Sequence, residues 1–214
     1  MEIPIPTLNL AVIAPEIVVL VTALLVMRVD LFLDREMKGR LAWLGLVGVL
    51  AAAGLTFYLW GGAGGALQDM LVADGYALFL NLVILTAAAL AILFSVENAP
   101  RKGLAQGEYY TLLLLSTAGM MLMAAAVNLM TIFLALEILS IALYVLVGLN
   151  RADRRSGEAA LKYFLLGAFA SGFLVYGMAL ISGQAGTTSL EGVRAYVASL
   201  TGESPTMLTV GLGL

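Results

Sequence analysis

Apolar residues recur along this chain in long runs that short polar segments separate. A helix that crosses a membrane needs roughly 20 predominantly apolar residues, and six runs come close to that length. The predicted spans cover residues 8–33, 41–60, 76–95, 109–127, 128–149 and 158–182, and residues 207–214 begin a seventh. The pattern therefore predicts an all-α integral membrane protein, a polytopic helix bundle that forms a single membrane domain over residues 1–214.

The polar segments are short, and the composition agrees with the membrane prediction. Of 214 residues, 62% are hydrophobic and 12% are charged, whereas soluble domains carry about 25% charged residues. The glycine-rich segment 61–65 is interpreted as a loop, and LEGVRAYVASL within 183–206 as one amphipathic surface turn. No basic surface for nucleic acid is present, so the predicted surroundings are the lipid bilayer.

Lysine and arginine residues alternate between successive loops. Four lie within 28–40, two within 96–108 and three within 150–157, whereas the remaining loops hold only Arg194. Positively charged loops face the cytoplasm, so these three segments are predicted to be inside and the N-terminus outside. The N-terminal MEIPIPTLNL is acidic where a secretory signal is basic, so the first span is expected to be retained.

The chain contains no cysteine and no histidine. These absences exclude thiolate-ligated iron–sulfur clusters, zinc sites of the Cys/His type and His-ligated haem. They also exclude nucleophilic sites built on cysteine or histidine. We therefore predict no metal site and no cofactor bound by this chain, and any proton chemistry would use carboxylates, lysines, tyrosines and water.

One carboxylate, Glu137, lies in the middle of the fifth predicted span. An ionisable side chain at this depth costs roughly 2.5–3.5 kcal/mol, so Glu137 is a candidate functional site, with a structural contact between helices as the alternative. Ser140 and Tyr144 follow on the same helical face. They would either line a hydrated path from Glu137 toward the cytoplasm or bond to a neighbouring helix.

Glu158 and Lys162 lie near the start of the sixth predicted span with the spacing and order that favour an ion pair. Lys162 would lie roughly 6 Å inside the membrane, and Glu137 roughly 18 Å from the cytoplasmic end of its helix. A direct salt bridge between them is therefore not expected. Lys162 is either a relay at the cytoplasmic mouth or a snorkelling interfacial lysine. Small residues at 167, 168, 171 and 172 are interpreted as a helix-packing face.

Residues 108–183 resemble subunit N of bacterial proton-translocating NADH–quinone oxidoreductase, respiratory complex I. The most specific segments are LALEILSIALYVL around Glu137 and SGEAALKYFLLGAFASG around Lys162. APEIVVL and MLVADGYALF fit more loosely, so the resemblance covers essentially the whole chain. The serine and tyrosine that follow the glutamate favour subunit N over the related antiporter-like subunits L and M.

The resemblance implies the N-terminal part of a 14-helix subunit with inverted repeats in the bacterial cytoplasmic (inner) membrane. It implies proton translocation coupled to electron transfer from NADH to quinone, with flavin, iron–sulfur clusters and quinone held by partner subunits. Glu137 would be the proton-switch carboxylate and Lys162 the relay on the cytoplasmic side. The resemblance further implies a deep lysine in helix 7, which has no counterpart because the sequence stops at Leu214.

The expected partners are the other membrane subunits of complex I, and the chain would be enzymatic only as a subunit of that translocase. Two other functions stay open. The chain would be a subunit of a cation/proton antiporter, which works without NADH, or a structural membrane scaffold of the complex, in which Glu137 only holds a helix interface.

Overall fold

The computed structural model describes residues 9–34, 37–62, 64–66, 70–101, 104, 106–200 and 205–214. Within these ranges the chain forms eight helices and one small sheet. Their bounds are α1 Ala14–Asp30, α2 Arg40–Tyr58, β1 Gly64–Ala66, β2 Leu71–Ala73, α3 Gly75–Arg101, α4 Gln106–Ala125, α5 Leu129–Val147, α6 Arg154–Ala185, α7 Leu190–Ser199 and α8 Thr206–Gly213. The predicted helical membrane architecture is confirmed at this level, and residues 1–8, which include the start of the first predicted span, lie outside the described ranges.

Four helices of the described part are long and apolar enough to cross a membrane by their length and composition. They are α2, α3, α5 and α6. Each contains most of a predicted span, because a long apolar run is the strongest sequence signal for a membrane helix.

Several helix ends differ from the predicted bounds, because helices continue into polar residues. Helix α3 extends to Arg101, past the predicted end at Ser95, and Arg101 contacts Glu97 one turn earlier at 3.2 Å. Helix α6 begins at Arg154 because the side chain of Asp153 accepts a hydrogen bond from the backbone of Arg155 at 2.9 Å. It ends where Gly186 adopts the left-handed conformation, with φ of 71°.

The expectation of a plain loop at 61–65 is wrong in part, because Gly64 and Gly65 belong to a strand. Strand β1 pairs antiparallel with β2, with Gly64 opposite Ala73 and Ala66 opposite Leu71. Glycine has no side chain to signal a strand, so the alternating pattern that predicts strands is absent here. The predicted amphipathic turn near 190 is the ten-residue helix α7.

The β-hairpin joins two other segments at one end of the structure, which we call the hairpin end (residues 64–66, 70–73, 126–128 and 187–190). Val127 donates its backbone N–H to Met70 at 3.1 Å, and Leu190 donates to Val127 at 3.0 Å. Asn128 caps α5 by accepting from the backbone of Met130 at 2.9 Å, and its amide donates to Thr188 at 3.0 Å. The opposite end, the basic end (residues 28–34, 37–40, 97–101, 104, 106–108 and 150–157), carries most of the lysines and arginines of the described residues.

Helices α1 to α4 share one hydrophobic core, and α5, α6 and α8 pack beside it in succession. Its fully buried large side chains include Val19, Val26, Leu41, Val49, Ile92, Leu114 and Met121. Helix α5 packs closely against α4 at Gly119, where an added Cβ would lie 2.7 Å from the backbone nitrogen of Leu139 and 3.0 Å from the carbonyl of Ala135. Glu137 lies between these two positions, so this contact sets its place against the bundle.

Gly119→Ala is expected to destabilise the protein, because the added methyl group would overlap the backbone of α5 and push the two helices apart. Overpacking of this kind costs about 1–3 kcal/mol. Gly54→Ala in α2 is the matched control, since nothing lies within 4 Å of its added Cβ, and alanine favours a helix by about 0.5–1 kcal/mol. Thermal unfolding of the purified protein measures both. Equal melting temperatures for the two variants would contradict the close α4–α5 contact.

Candidate functional site

Glu137 is the ninth of the 19 residues of α5, and its half-buried side chain faces α6. The hydroxyl of Ser171 on α6 donates a hydrogen bond to Oε1 of Glu137 at 2.6 Å. This length is in the range of strong bonds between a hydroxyl and a carboxylate. The assignment of residue 171 to helix packing alone is therefore wrong, because its hydroxyl is the polar partner of the carboxylate.

Three contacts define the register between the antiparallel helices α5 and α6. Glu137 bonds Ser171, and the rings of Tyr144 and Phe164 lie 5.7 Å apart, centroid to centroid. Nearer the basic end, a Cβ added at Gly148 would lie 2.9 Å from the Cβ of Ala160. Each step along α5 is matched by an equal step back along α6, so the two helices keep one register over three turns.

This register gives the depth of Lys162, which lies level with the last turn of α5. Nine residues of α5 separate that level from Glu137, or roughly 13 Å along the helix axis. Nζ of Lys162 lies 2.6 Å from Oε1 of Glu158, and both side chains are exposed. Among the described residues, no lysine or arginine forms a salt bridge with Glu137. The structure thus brings Lys162 to Glu158 and does not bring it to Glu137.

Tyr144 faces α6 two turns from Glu137. Its ring packs edge-on against Tyr163, with ring centres 4.8 Å apart, and its hydroxyl lies where a Cβ at Gly167 would be. Gly167 therefore provides the space that the tyrosine occupies. Ser140 lies between Glu137 and Tyr144 and is half-buried. In the described part of the chain, neither the Ser140 nor the Tyr144 hydroxyl has a hydrogen-bond partner, so both can bind water or another helix.

The donor groups around Glu137 suit proton transfer more than metal binding. A carboxylate accepts a proton, and a serine hydroxyl can donate to the ionised form and accept from the protonated form. Over the residues that the structure describes, no three histidine, cysteine, aspartate or glutamate side chains are grouped to hold a metal ion.

The comparisons with known proteins agree on one family. The family model described as NADH:quinone oxidoreductase/Mrp antiporter, TM, matches residues 126–214. NADH-quinone oxidoreductase subunit N of Trichlorobacter lovleyi is 46% identical over 208 residues, which are 97% of this chain and 43% of that protein. Subunit N of Chloroflexus aggregans is 41% identical over 199 residues, 92% of this chain and 41% of that protein. The chain belongs to the NADH:quinone oxidoreductase/Mrp antiporter family.

Solved structures of this kind have the same fold. A chain of respiratory complex I from Thermus thermophilus with bound aureothin has 28% identity and a TM-score of 0.71, over 93% of this chain and 43% of that chain. A chain of the membrane-bound sulfane sulfur reductase, an archaeal respiratory membrane complex, has a TM-score of 0.76 at 23% identity, over 92% of this chain and 42% of that chain. The second match concerns the fold alone. The chain spans less than half the length of these relatives.

The part of the chain that matches the antiporter family model contains the whole contact between α5 and α6. We call this contact, between residues 129–147 and 154–185, the α5–α6 seam. Glu137, Ser171, Tyr144 and Lys162 all lie within residues 126–214. Ser171 was missed by sequence reasoning because a serine among small residues fits a packing face equally well. Only the register of α5 against α6 distinguishes the two interpretations.

Gly167→Ala is expected to lower the melting temperature, because the added methyl group overlaps the ring of Tyr144. Combining it with Tyr144→Leu should cost less than the sum of the two single changes, since the smaller side chain vacates the space. Gly172→Ala on the same helix has nothing within 4 Å and is the control. Thermal unfolding of the four variants tests this. Strict additivity would contradict the contact between Tyr144 and Gly167.

Proposed function

We propose that the chain is a proton-translocating membrane subunit of NADH–quinone oxidoreductase, in which Glu137 is the carboxylate that takes up and releases a proton. The observation that carries the proposal is the Glu137 side chain in the middle of an apolar helix, hydrogen-bonded to Ser171 at 2.6 Å. An ionisable group at this depth is a functional site by default. The coupling to NADH and quinone is inferred from the names of the relatives. The groups that would carry the proton are inferred from the contact between α5 and α6.

The α5–α6 seam supports a path from the basic end to Glu137. Lys162 and Glu158 lie at the level where α5 ends, which is the mouth of this path. From there, the Tyr144 and Ser140 hydroxyls lead inward, and water bound between them would span the roughly 13 Å to the carboxylate. Ser171 holds the Glu137 carboxyl against α6 by donating a hydrogen bond to it. Lys162 acts as a relay at the mouth, too far away to pair with Glu137 directly.

The chain translocates protons and leaves electron transfer to partner subunits. It has no cysteine or histidine to ligate iron–sulfur clusters or haem. NADH, flavin, iron–sulfur clusters and quinone would be held by other subunits of the complex, with which this chain assembles in the bacterial inner membrane. The subunit as a whole would have 14 helices, and the deep lysine that switches Glu137 would come from another part of the subunit or from a partner subunit.

We further propose that α1 to α6 are six complete membrane spans and α8 the start of a seventh. Helices α1 and α4 have 17 and 20 residues, or roughly 26 and 30 Å, close to the roughly 30 Å of a hydrocarbon core. Both pack within the same core as α2 and α3. The connections alternate between the hairpin end and the basic end, so the basic end would be cytoplasmic and the N-terminus outside.

Two other functions compete with this one. The family's description includes the Mrp antiporters, which favours a cation/proton antiporter subunit as the second candidate. The hydrogen bond between α5 and α6 also favours a scaffold in which Glu137 only fixes two helices. The antiporter would move protons without NADH, and the scaffold would need the hydrogen bond but not the charge.

Glu137→Gln in the assembled complex is expected to reduce proton translocation by roughly ten-fold or more while the complex still assembles. Glutamine keeps the hydrogen bond to Ser171 but cannot exchange a proton. Quinone reduction by NADH and proton uptake by membrane vesicles are measured separately. Coupled translocation at the original rate would overturn the role of Glu137. Loss of assembly in Glu137→Ala, which removes the hydrogen bond to Ser171, together with unchanged translocation per complex in Glu137→Gln would favour the scaffold. Proton exchange without NADH would favour the antiporter.

Ser171→Ala is expected to slow proton translocation by roughly ten-fold, because a hydrogen bond to a charged group contributes about 1.5–3 kcal/mol. Ser171→Thr keeps the hydroxyl and should restore most of the rate. Ser182→Ala is the matched control on the same helix, because the Ser182 hydroxyl bonds only the backbone of its own helix, at 3.2 Å from the carbonyl of Ala179. Equal rates for the two alanine variants would remove Ser171 from the mechanism.

A further inference from the structure

We propose that Glu16 and Asn81 form a second proton-binding site, near the hairpin end of the bundle, in which the Glu16 carboxyl carries a proton and Asn81 holds it in place. This site is separate from the seam of Glu137 and Lys162. It does not depend on the proposed function, because it rests on the surroundings of Glu16 alone.

Glu16 is the third residue of α1, and its side chain is buried between helices. Only 5% of Glu16 and 2% of Asn81 on α3 is exposed. The side-chain amide of Asn81 donates a hydrogen bond to Oε1 of Glu16 at 2.8 Å. This contact joins residues 65 positions apart, so it bonds α1 to α3 directly.

Two oxygen atoms of this pair are buried without a partner among the described residues: Oε2 of Glu16 and Oδ1 of Asn81. If the carboxyl is ionised, both atoms are acceptors and nothing supplies a donor. A proton on Oε2 makes that oxygen of Glu16 a hydrogen-bond donor, while Oδ1 of Asn81 remains an acceptor without a partner. The two would then satisfy each other after a small rotation of the amide, or through one bridging water. The protonated form of Glu16 thus gives both oxygen atoms a hydrogen-bond partner, whereas the ionised form leaves both without one.

The surroundings of the pair are apolar. Ile13 and Leu78 are neighbours of the pair along α1 and α3, and both belong to a buried cluster that includes Leu71 and Ala73 of β2. Val19, on the next turn of α1, belongs to the main core. A carboxylate in such surroundings loses its hydration, and the charged form is then costly unless a cation compensates it.

No basic residue of the described chain reaches this site. Arg28 is the nearest on α1, twelve residues or roughly 18 Å away along the helix, and Arg101 is twenty residues or roughly 30 Å from Asn81 on α3. Arg194, on α7, bonds Glu191 at 2.6 and 2.9 Å on the exposed surface. That bond lowers the pKa of Glu191, and it leaves Arg194 engaged with its own helix.

The other titratable groups on helices packed against α1 are bonded to other residues, exposed, or located at the basic end. Asp74, which precedes α3, accepts a hydrogen bond from the backbone of Ala77 at 2.8 Å. Tyr58 of α2 and Tyr76 of α3 are exposed. Glu108, Tyr109 and Tyr110 begin α4 at the basic end. Among the described residues, Glu16 therefore has an amide as its polar partner and no charge beside it, and a proton is the ligand that fits.

Infrared spectra of the full-length protein in its native membrane assembly test this site. The difference between wild type and Glu16→Gln at neutral pH is expected to contain the C=O stretching band of one protonated carboxyl. Asn81→Leu, which removes the hydrogen bond to Oε1, is expected to shift that band to higher frequency. Glu137→Gln is the control, because it should leave the band in place.

A difference spectrum that contains the stretching bands of an ionised carboxylate would overturn the proposal. An Asn81→Leu variant with an unshifted band would overturn the role of Asn81. Glutamine reproduces the shape and neutrality of a protonated glutamate, so failure of Glu16→Gln to assemble would also count against the site. In each case the proton translocation measured for Glu137→Gln is unaffected, so this proposal and the proposed function fail separately.

Discussion

Helix α5 is held between α4 and α6 by close contacts at three glycines, where a larger residue would not fit. The position of Glu137 depends on these contacts. On one side Gly119 lets the backbones of α4 and α5 meet around residues 135–139. On the other side Gly167 makes room for Tyr144, and Gly148 for Ala160. Association of helices in a membrane depends on such packing because lipid offers no hydrophobic drive. The Glu137–Ser171 hydrogen bond is therefore formed by two helices that glycines have already brought together.

The sequence predicts the helices well and the contacts between them poorly. Long apolar runs reveal α2, α3, α5 and α6, whereas helix ends continue into polar residues such as 96–101 and 154–157. The β-hairpin escapes prediction because its first strand is largely glycine. Glu137 and the Glu158–Lys162 spacing can be identified from a single helix. Ser171 cannot, because the register of α5 against α6 is defined by contacts between the two helices, such as that between Gly148 and Ala160, which the spacing along one helix does not give.

The carboxyl groups of Glu137 and Glu16 differ in burial and in the polar group beside them. Glu137 is half-buried beside a hydroxyl, and hydroxyls without partners among the described residues continue along its seam. Glu16 is enclosed by apolar side chains and bonded to an amide that is itself buried. A group that exchanges protons needs a neighbouring chain of hydrogen-bonding groups, which the Ser140 and Tyr144 hydroxyls would provide under the proposed function. Neither pair follows from local spacing, because each joins residues on different helices.

Asn128 gives the seam a fixed point. It caps α5 and bonds Thr188, while the backbones of Leu129 and Leu190 are bonded across the same junction. These bonds tie the first turn of α5 to the segment that follows α6. At the basic end, the two helices are joined by their short loop, by a hydrogen bond from Ser156 to the carbonyl of Val147, and by the close approach of Gly148 to Ala160. The two helices are thus fixed to each other at both ends, and the Glu137–Ser171 hydrogen bond lies between the two fixed points.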